Sequence, residues 1–174
     1  MSQMTITPIP DKVFGATATG VSLRDIDDAQ FAALHAAFLK YGFLIFPGQF
    51  LTDEENIAFG KRFGDLEFGA MPLSNQERRK DGSLGQIFEV NSRRMRSAIG
   101  NEGWHTDSTY KPLSSKCAML SAVVVPDEGG QTEFCDMRAA YAALDEATKA
   151  RIESLSAYHS IVFSQANDLG DFPT

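Results

Sequence analysis

The stretch GNEGWHTDSTY (100–110) places a histidine, His105, two residues before an aspartate, Asp107. A neutral imidazole nitrogen and a carboxylate oxygen together suit Fe(II), and a third ligand would complete the two-histidine, one-carboxylate facial triad. If the stretch is a strand, side chains two positions apart point to the same face and can line a barrel. On the residues alone, a solvated strand edge or a simple His–Asp hydrogen bond is equally open.

The elements that must position these residues can be predicted from periodicity and turn signals. Strands are predicted around His105 and at 5–9, 14–20, 43–46, 86–90, 117–125, 132–135 and 157–163. Helices are predicted at 27–42, 52–64, 136–144 and 145–155, and a long polar loop at 67–85. Helices flanking several spaced strands indicate an α+β protein built around a β-sandwich or barrel. The lack of regular strand–helix alternation argues against a doubly wound sheet.

Cap residues mark the ends of these predicted helices. Asp27 or Asp28 can cap the first helix, which Gly42 should end. Thr52, with a glutamate three residues later, forms a capping box for the second helix, and Gly64 lies where that helix should stop.

Composition limits the class of protein. The 174 residues suit one domain, and 43% hydrophobic with 22% charged residues is typical of a globular chain. A net charge of −7 argues against a nucleic-acid partner, which needs a basic face. We find no signal-peptide pattern and no apolar run long enough for a bilayer, so no membrane partner is expected. Cys117 and Cys135 lie in apolar runs and are predicted as buried thiols, which favours a cytoplasmic location.

Longer motifs carry a family resemblance. WHTDSTY (104–110) followed by GGQTEF (129–134) resembles the Fe(II)/2-oxoglutarate-dependent dioxygenases of the taurine and 2,4-dichlorophenoxyacetate dioxygenase family. FLIFPGQFLTDEENIAFGKRFGDLE resembles the N-terminal strand, turn and helix of that family. AMLSAVVVPDEGGQTEFCDMRAAYAAL is especially similar to the 2,4-dichlorophenoxyacetate branch, more so than to the taurine branch. The similarity extends over essentially the whole chain.

The resemblance implies a double-stranded β-helix (jelly roll) with flanking helices, in which residues 1–174 form the N-terminal portion of a single domain. His105 and Asp107 match the first two iron ligands. Thr132 matches the threonine that binds a carboxylate of 2-oxoglutarate, and Asn91 falls near a position that faces the substrate. Gln131 stands where the family usually has aspartate.

The implied reaction consumes 2-oxoglutarate and O₂ as co-substrates, releases succinate and CO₂, and hydroxylates a small carboxylate substrate. Ascorbate is implied as a stimulant. An aryloxyacetate such as 2,4-dichlorophenoxyacetate would be cleaved to a phenol and glyoxylate. Asp107 favours hydroxylation, because related halogenases carry a small residue there. A taurine or alkylsulfonate dioxygenase and a non-catalytic binding domain are the alternatives; a zinc hydrolase is disfavoured, because no further zinc motif accompanies the pair.

Other residues near the motif allow two interpretations each. Arg93, Arg94 and Arg96, in the predicted loop NSRRMRSAIG, could attract a carboxylate or be solvated. Trp104 and Phe134 could form apolar walls of the site or ordinary core.

The family's second histidine ligand and its 2-oxoglutarate-binding arginine lie downstream of the region matched here. The sequence has no histidine after His159 and ends at Thr174. We therefore expect the N-terminal portion of a longer enzyme that forms a homo-oligomer. The isolated 174 residues should show little activity and should aggregate or dimerise, because half a jelly roll exposes strand edges and apolar core.

Overall fold

A computed structural model describes residues 3–67, 69, 76–81, 83–100 and 103–163. The chain divides into a first compact unit, residues 1–66 and 119–155, and a second, residues 67–118 and 156–174. None of the helices in the described ranges has the length and apolar character needed to cross a membrane. The elements in chain order are β1 (Thr5–Pro8), β2 (Ala16–Thr19), α1 (Asp28–Tyr41), β3 (Leu44–Ile45), α2 (Asp53–Gly60), β4 (Gln76–Arg78), β5 (Leu84–Ile87), α3 (Arg93–Gly100), α4 (Met137–Ala142) and α5 (Glu146–Ile152).

The first unit contains a three-stranded sheet in the order β1-β2-β3. β1 pairs antiparallel with β2, with Thr5 opposite Thr19. β2 pairs parallel with β3, with Ala16 opposite Leu44, and α1 connects these two strands. The strands predicted at 5–9, 14–20 and 43–46 are confirmed.

Helix α1 begins and ends where its cap residues predict. The Asp27 side chain accepts a hydrogen bond from the Gln30 backbone N–H at 2.8 Å, and the Gln30 side chain accepts one from the Asp27 N–H. Gly42, with φ of 81°, donates its N–H to the Phe38 carbonyl. A residue with a side chain would be strained in that conformation, which explains the glycine.

Helix α2 starts at the predicted capping box but ends earlier than predicted. Thr52 accepts from the Glu55 N–H at 3.3 Å, and Glu55 accepts from the Thr52 N–H at 2.9 Å. The α-helix ends at Gly60, not at Gly64. Beyond Gly60, hydrogen bonds between residues three apart form a tighter turn in place of the α-helical bonds between residues four apart. Gly64 is the last donor in that series.

The core of the first unit lies between the sheet, α1 and α2. Its buried members are Ala18, Leu23, Leu34 and Phe59. Partly buried residues pack around them, including Phe31 and Phe63, whose rings meet edge to face at 5.0 Å. The capped helices α4 and α5 also belong to this unit, and their predicted caps Asp136 and Asp145 each accept a backbone N–H.

The second unit contains a hairpin and a helix that the sequence interpretation missed. β4 and β5 pair antiparallel, so the segment 67–85 is not loop throughout. The strand predicted at 86–90 is β5, which begins two residues earlier, at Leu84, and ends at Ile87. The predicted arginine loop is helix α3, which begins after Ser92, whose hydroxyl accepts the Met95 N–H at 3.2 Å. A serine cap was the overlooked signal.

The strands predicted around His105 and at 117–125, 132–135 and 157–163 are wrong for the described residues. These segments lack regular strand pairing, and 161–163 are helical. A strand needs a hydrogen-bonded neighbour, whereas a run of valines shows only a propensity for extended backbone. Consistent with a missing neighbour, Val123 is 83% exposed. The described residues thus combine helices with two small sheets, as expected of the α+β class, and the jelly-roll closure stays a prediction.

Candidate metal centre

The structure brings His105 and Asp107 together in the second unit. His105 Nε2 lies 3.3 Å from Asp107 Oδ1, and the two side chains are 53% and 62% exposed. The other ring nitrogen, Nδ1, lies 2.7 Å from the Gly103 carbonyl oxygen. The two functional groups therefore converge at a position open to solvent.

A turn, rather than a strand, produces this convergence. Residues 107–110 form a turn, and Ser108 has φ of 59°, the left-handed region in which a residue with a side chain costs about 1–3 kcal/mol. A strand cannot continue through that conformation. The predicted strand is corrected, although the predicted proximity of His105 and Asp107 holds.

The donor set fits a divalent metal ion. A carbonyl oxygen can only accept, so Nδ1 carries the proton that is donated to Gly103, and in the neutral ring Nε2 presents a lone pair to the Asp107 carboxylate. Two such electron-rich atoms are stable side by side when a cation lies between them, which is either a metal ion or the proton of a charged imidazolium. Adjacent ligands of a metal with bonds of about 2.1 Å would be separated by about 3 Å, close to the 3.3 Å found. Fixing Nδ1 on a carbonyl is also the usual way to orient a metal-binding histidine.

A third protein ligand is not found in the described part of the chain. No group of three or more His, Cys, Asp or Glu side chains suited to a metal occurs among the residues that the structure describes. Among these residues, His105 and Asp107 are the two candidate donors.

The turn is anchored by Glu67. Its carboxylate accepts hydrogen bonds from the Ser108 hydroxyl at 2.6 Å and the Ser115 hydroxyl at 2.5 Å. It also forms an ion pair with the Lys111 ammonium. Lys111, Ser108 and Ser115, in decreasing order of effect, lower the pKa of Glu67 from 4.5 to about 2. The carboxylate is therefore ionised at neutral pH. The sequence interpretation missed this cluster, because Glu67 precedes its three donors by 41 to 48 residues and the four residues match no motif.

Thr132 belongs to the first unit, in an exposed segment without regular structure. Before it, Gly129 and Gly130 have φ of 76° and 68°, left-handed values that glycine adopts readily. Nearby, Phe134 stacks on Phe43 with ring centroids 4.6 Å apart, although it remains 51% exposed. Phe134 therefore packs at the surface of the first unit.

Asn91 lies in an exposed turn of the second unit, directly before α3. Arg93, Arg94 and Arg96 follow on that helix, and the Arg94 guanidinium lies 5.1 Å from the ring centre of Phe88. Trp104, next to His105, is 71% exposed and so does not belong to a core.

The two cysteines differ in burial. Cys117 is half-buried, and burial raises the pKa of its thiol, whereas Cys135 is exposed. The prediction of two buried thiols is wrong for Cys135, because the strand expected to bury it does not form here.

Comparison with known proteins identifies the chain's relatives. The sequence profile of the taurine catabolism dioxygenase TauD, TfdA family matches residues 5–172, which includes the His105–Asp107 turn. The chain belongs to this family. The resemblance inferred from WHTDSTY and GGQTEF is thereby confirmed.

Individual relatives within this dioxygenase family are similar over most of the chain. A (S)-phenoxypropionate/alpha-ketoglutarate-dioxygenase from Sphingobium herbicidovorans is 53% identical over 92% of the chain. An alpha-ketoglutarate-dependent 2,4-dichlorophenoxyacetate dioxygenase from Cupriavidus pinatubonensis is 35% identical over 84% of it. The chain spans about 55% of the length of both relatives.

A solved structure also matches most of the chain. The crystal structure of AAD-2 in complex with Mn(II) and N-oxalylglycine superposes with a TM-score of 0.85 at 38% identity. That match covers 95% of this chain and 58% of the other. The described fold is thus shared with the matching part of AAD-2.

Proposed function

We propose that the chain is the N-terminal portion of a single-domain, non-haem Fe(II), 2-oxoglutarate-dependent dioxygenase with a jelly-roll core. The observation that carries this proposal is the 3.3 Å approach of His105 Nε2 and Asp107 Oδ1 inside a segment matched by the family profile. A cytoplasmic location is part of the proposal and is favoured by two free cysteines.

In this proposal His105 and Asp107 hold the iron, and the Thr132 hydroxyl binds a carboxylate of 2-oxoglutarate. The bound iron supplies the activation of O₂, coupled to conversion of 2-oxoglutarate into succinate and CO₂. The protein's own contribution is to orient ligands and substrate. The Nδ1 hydrogen bond to Gly103 keeps Nε2 of His105 free to act as a ligand.

The proposed substrate is an aryloxyalkanoate, with (S)-2-phenoxypropionate first. Support comes from the 53% identity to a dioxygenase named for phenoxypropionate, against 35% for one named for 2,4-dichlorophenoxyacetate. Insertion of one oxygen atom into the C–H bond beside the ether oxygen gives a hemiketal, which breaks its C–O bond to release a phenol and pyruvate. The second oxygen atom of O₂ enters succinate. With an aryloxyacetate the same step releases glyoxylate.

Asn91 is proposed to face the substrate, because it is exposed in the turn that leads into α3. A side-chain amide can donate to a substrate carboxylate without adding charge. Arg93 and Arg96, exposed on the same helix, are further candidates for attracting that carboxylate.

A substrate panel tests this function. The full-length protein is supplied with Fe(II), 2-oxoglutarate and O₂, and succinate release is measured with (S)- and (R)-2-phenoxypropionate, phenoxyacetate and taurine. We expect the (S)-propionate to give the highest kcat/KM, with phenol and succinate formed in equal amounts. A preference for taurine would reject the aryloxyalkanoate proposal, and no coupled product with any of the four would reject the substrate class.

A further inference from the structure

The exposure of the ligand pair raises the question of what fixes it. More than half of each side chain of His105 and Asp107 is exposed, so packing leaves their rotamers free. A metal site needs its ligands held within a fraction of an ångström, which second-layer hydrogen bonds usually provide. Orientation must therefore come from the backbone of the turn.

That backbone is held on both sides of the pair. On the N-terminal side, the His105 ring is bonded to the Gly103 carbonyl. On the C-terminal side, Ser108 directly follows Asp107 and is the one buried polar residue in the described part of the chain, at 9% exposure. Its hydroxyl is bonded to Glu67, 41 residues away.

Glu67 is the common acceptor for the segment that follows the ligands. It binds the side chains of Ser108, Lys111 and Ser115, and the Lys111 N–H also donates to the Ser108 carbonyl, which closes the turn. The carboxylate therefore offsets the unfavourable left-handed conformation of Ser108 and fixes the direction in which the chain leaves Asp107. Glu67 thus joins three positions of the segment 108–115 to one acceptor.

We propose that Glu67 is a positioning residue for the metal-ligand pair, acting through Ser108 on the turn that carries His105 and Asp107. The inference rests on the proposed function, because it assigns metal binding to that pair. The hydrogen bonds and ion pair of Glu67 go to Ser108, Lys111 and Ser115, so its effect on the ligands is indirect.

The test measures Mn(II) binding by the full-length protein, with free Mn(II) followed by electron paramagnetic resonance. Glu67→Gln keeps the size of the side chain but removes its charge, and we expect about a tenfold loss of Mn(II) affinity, as is usual for residues that orient ligands. In the absence of metal, the Glu67→Gln variant should show faster amide hydrogen exchange in residues 105–111 than the unaltered protein. Ser108→Ala should lower the affinity in the same direction, and the double variant should add little, because both changes release the same contact.

Glu55→Gln is the matched control. Glu55 also forms an ion pair, with Arg24, and the substitution removes the same charge from the first unit. We expect Mn(II) affinity as in the unaltered protein. If Glu67→Gln does not fold, Ser115→Ala decides, since it removes only one of the donors to Glu67 and should weaken Mn(II) binding while the protein remains folded.

Unchanged affinity and exchange in Glu67→Gln, or unchanged affinity in Ser115→Ala where that variant decides, would overturn the inference. Failure of the underlying function gives a different result. Mn(II) affinity that does not fall in His105→Ala would reject the metal-ligand assignment itself, and the positioning role with it.

Discussion

At the scale of single residues, the turn that carries Asp107 is bonded to one ionised side chain, that of Glu67. Glu67 accepts three side-chain donors from the segment after Asp107, and these hold its pKa near 2, below the usual 4.5. In the proposed site, His105 and Asp107 contribute the donor atoms, whereas Glu67 and Ser108 determine where those atoms lie. A sequence motif identifies His105 and Asp107, because their residue types and their spacing suit metal binding. It does not identify Glu67 and Ser108, because only the folded chain brings these two residues together.

Acid should weaken this anchor in a defined pH range. Because the pKa of Glu67 is lower in the folded than in the unfolded protein, its stabilisation is complete above about pH 4.5 and is lost as the pH falls towards about 2. We expect the difference in urea unfolding midpoint between the unaltered protein and Glu67→Gln to be constant from about pH 7 to 5 and to shrink below that. A difference that stays constant down to about pH 3 would contradict the ionised anchor.

At the scale of elements, local signals determine the helices of the first unit. α1 and α2 each begin at a capping box, in which one side chain satisfies a free backbone N–H and another bonds back to the cap. α2 carries Phe59 into the core, so its first turn is coupled to the packing of the sheet. Stability of the helix ends therefore contributes to stability of the whole unit.

Removal of the α2 cap tests this coupling. Thr52→Ala should lower the free energy of unfolding by about 1 kcal/mol, because the Glu55 N–H loses its acceptor. The control is Thr52→Ser, which should leave the free energy of unfolding unchanged, because serine keeps the hydroxyl and caps a helix at least as well as threonine. Equal urea midpoints for Thr52→Ala and Thr52→Ser would show that the hydroxyl does not cap the helix.

The distance along the chain between interacting residues explains which elements could be predicted. The caps at Asp27, Thr52, Asp136 and Asp145 act within a few residues, so the sequence pattern locates their helices. The segment 117–125 has equally clear β-propensity, yet strand formation depends on a partner from elsewhere in the chain. The hairpin β4-β5 and the Glu67 cluster likewise depend on contacts that no short pattern encodes.

At the scale of the whole molecule, the family match extends over residues 5–172 and the chain spans about 55% of the length of its curated relatives. The described residues supply one histidine and one carboxylate at a distance suited to a metal. Family membership gives the context in which oxidation is proposed for that pair, and without it a His–Asp turn would be weak support for any function. We propose that these two side chains are the iron ligands of a dioxygenase.

The most direct test is coupled turnover by the full-length protein with His105 or Asp107 changed to Ala. Succinate and phenol are measured together, with His35→Ala as the control because that ring packs against Phe31 and Phe63 in the first unit. We expect both ligand variants to fall below about one hundredth of the unaltered rate, since loss of a ligand exceeds the effect of its supporting residues. The control should retain its rate. Coupled release of succinate and phenol that survives either ligand change would contradict the account.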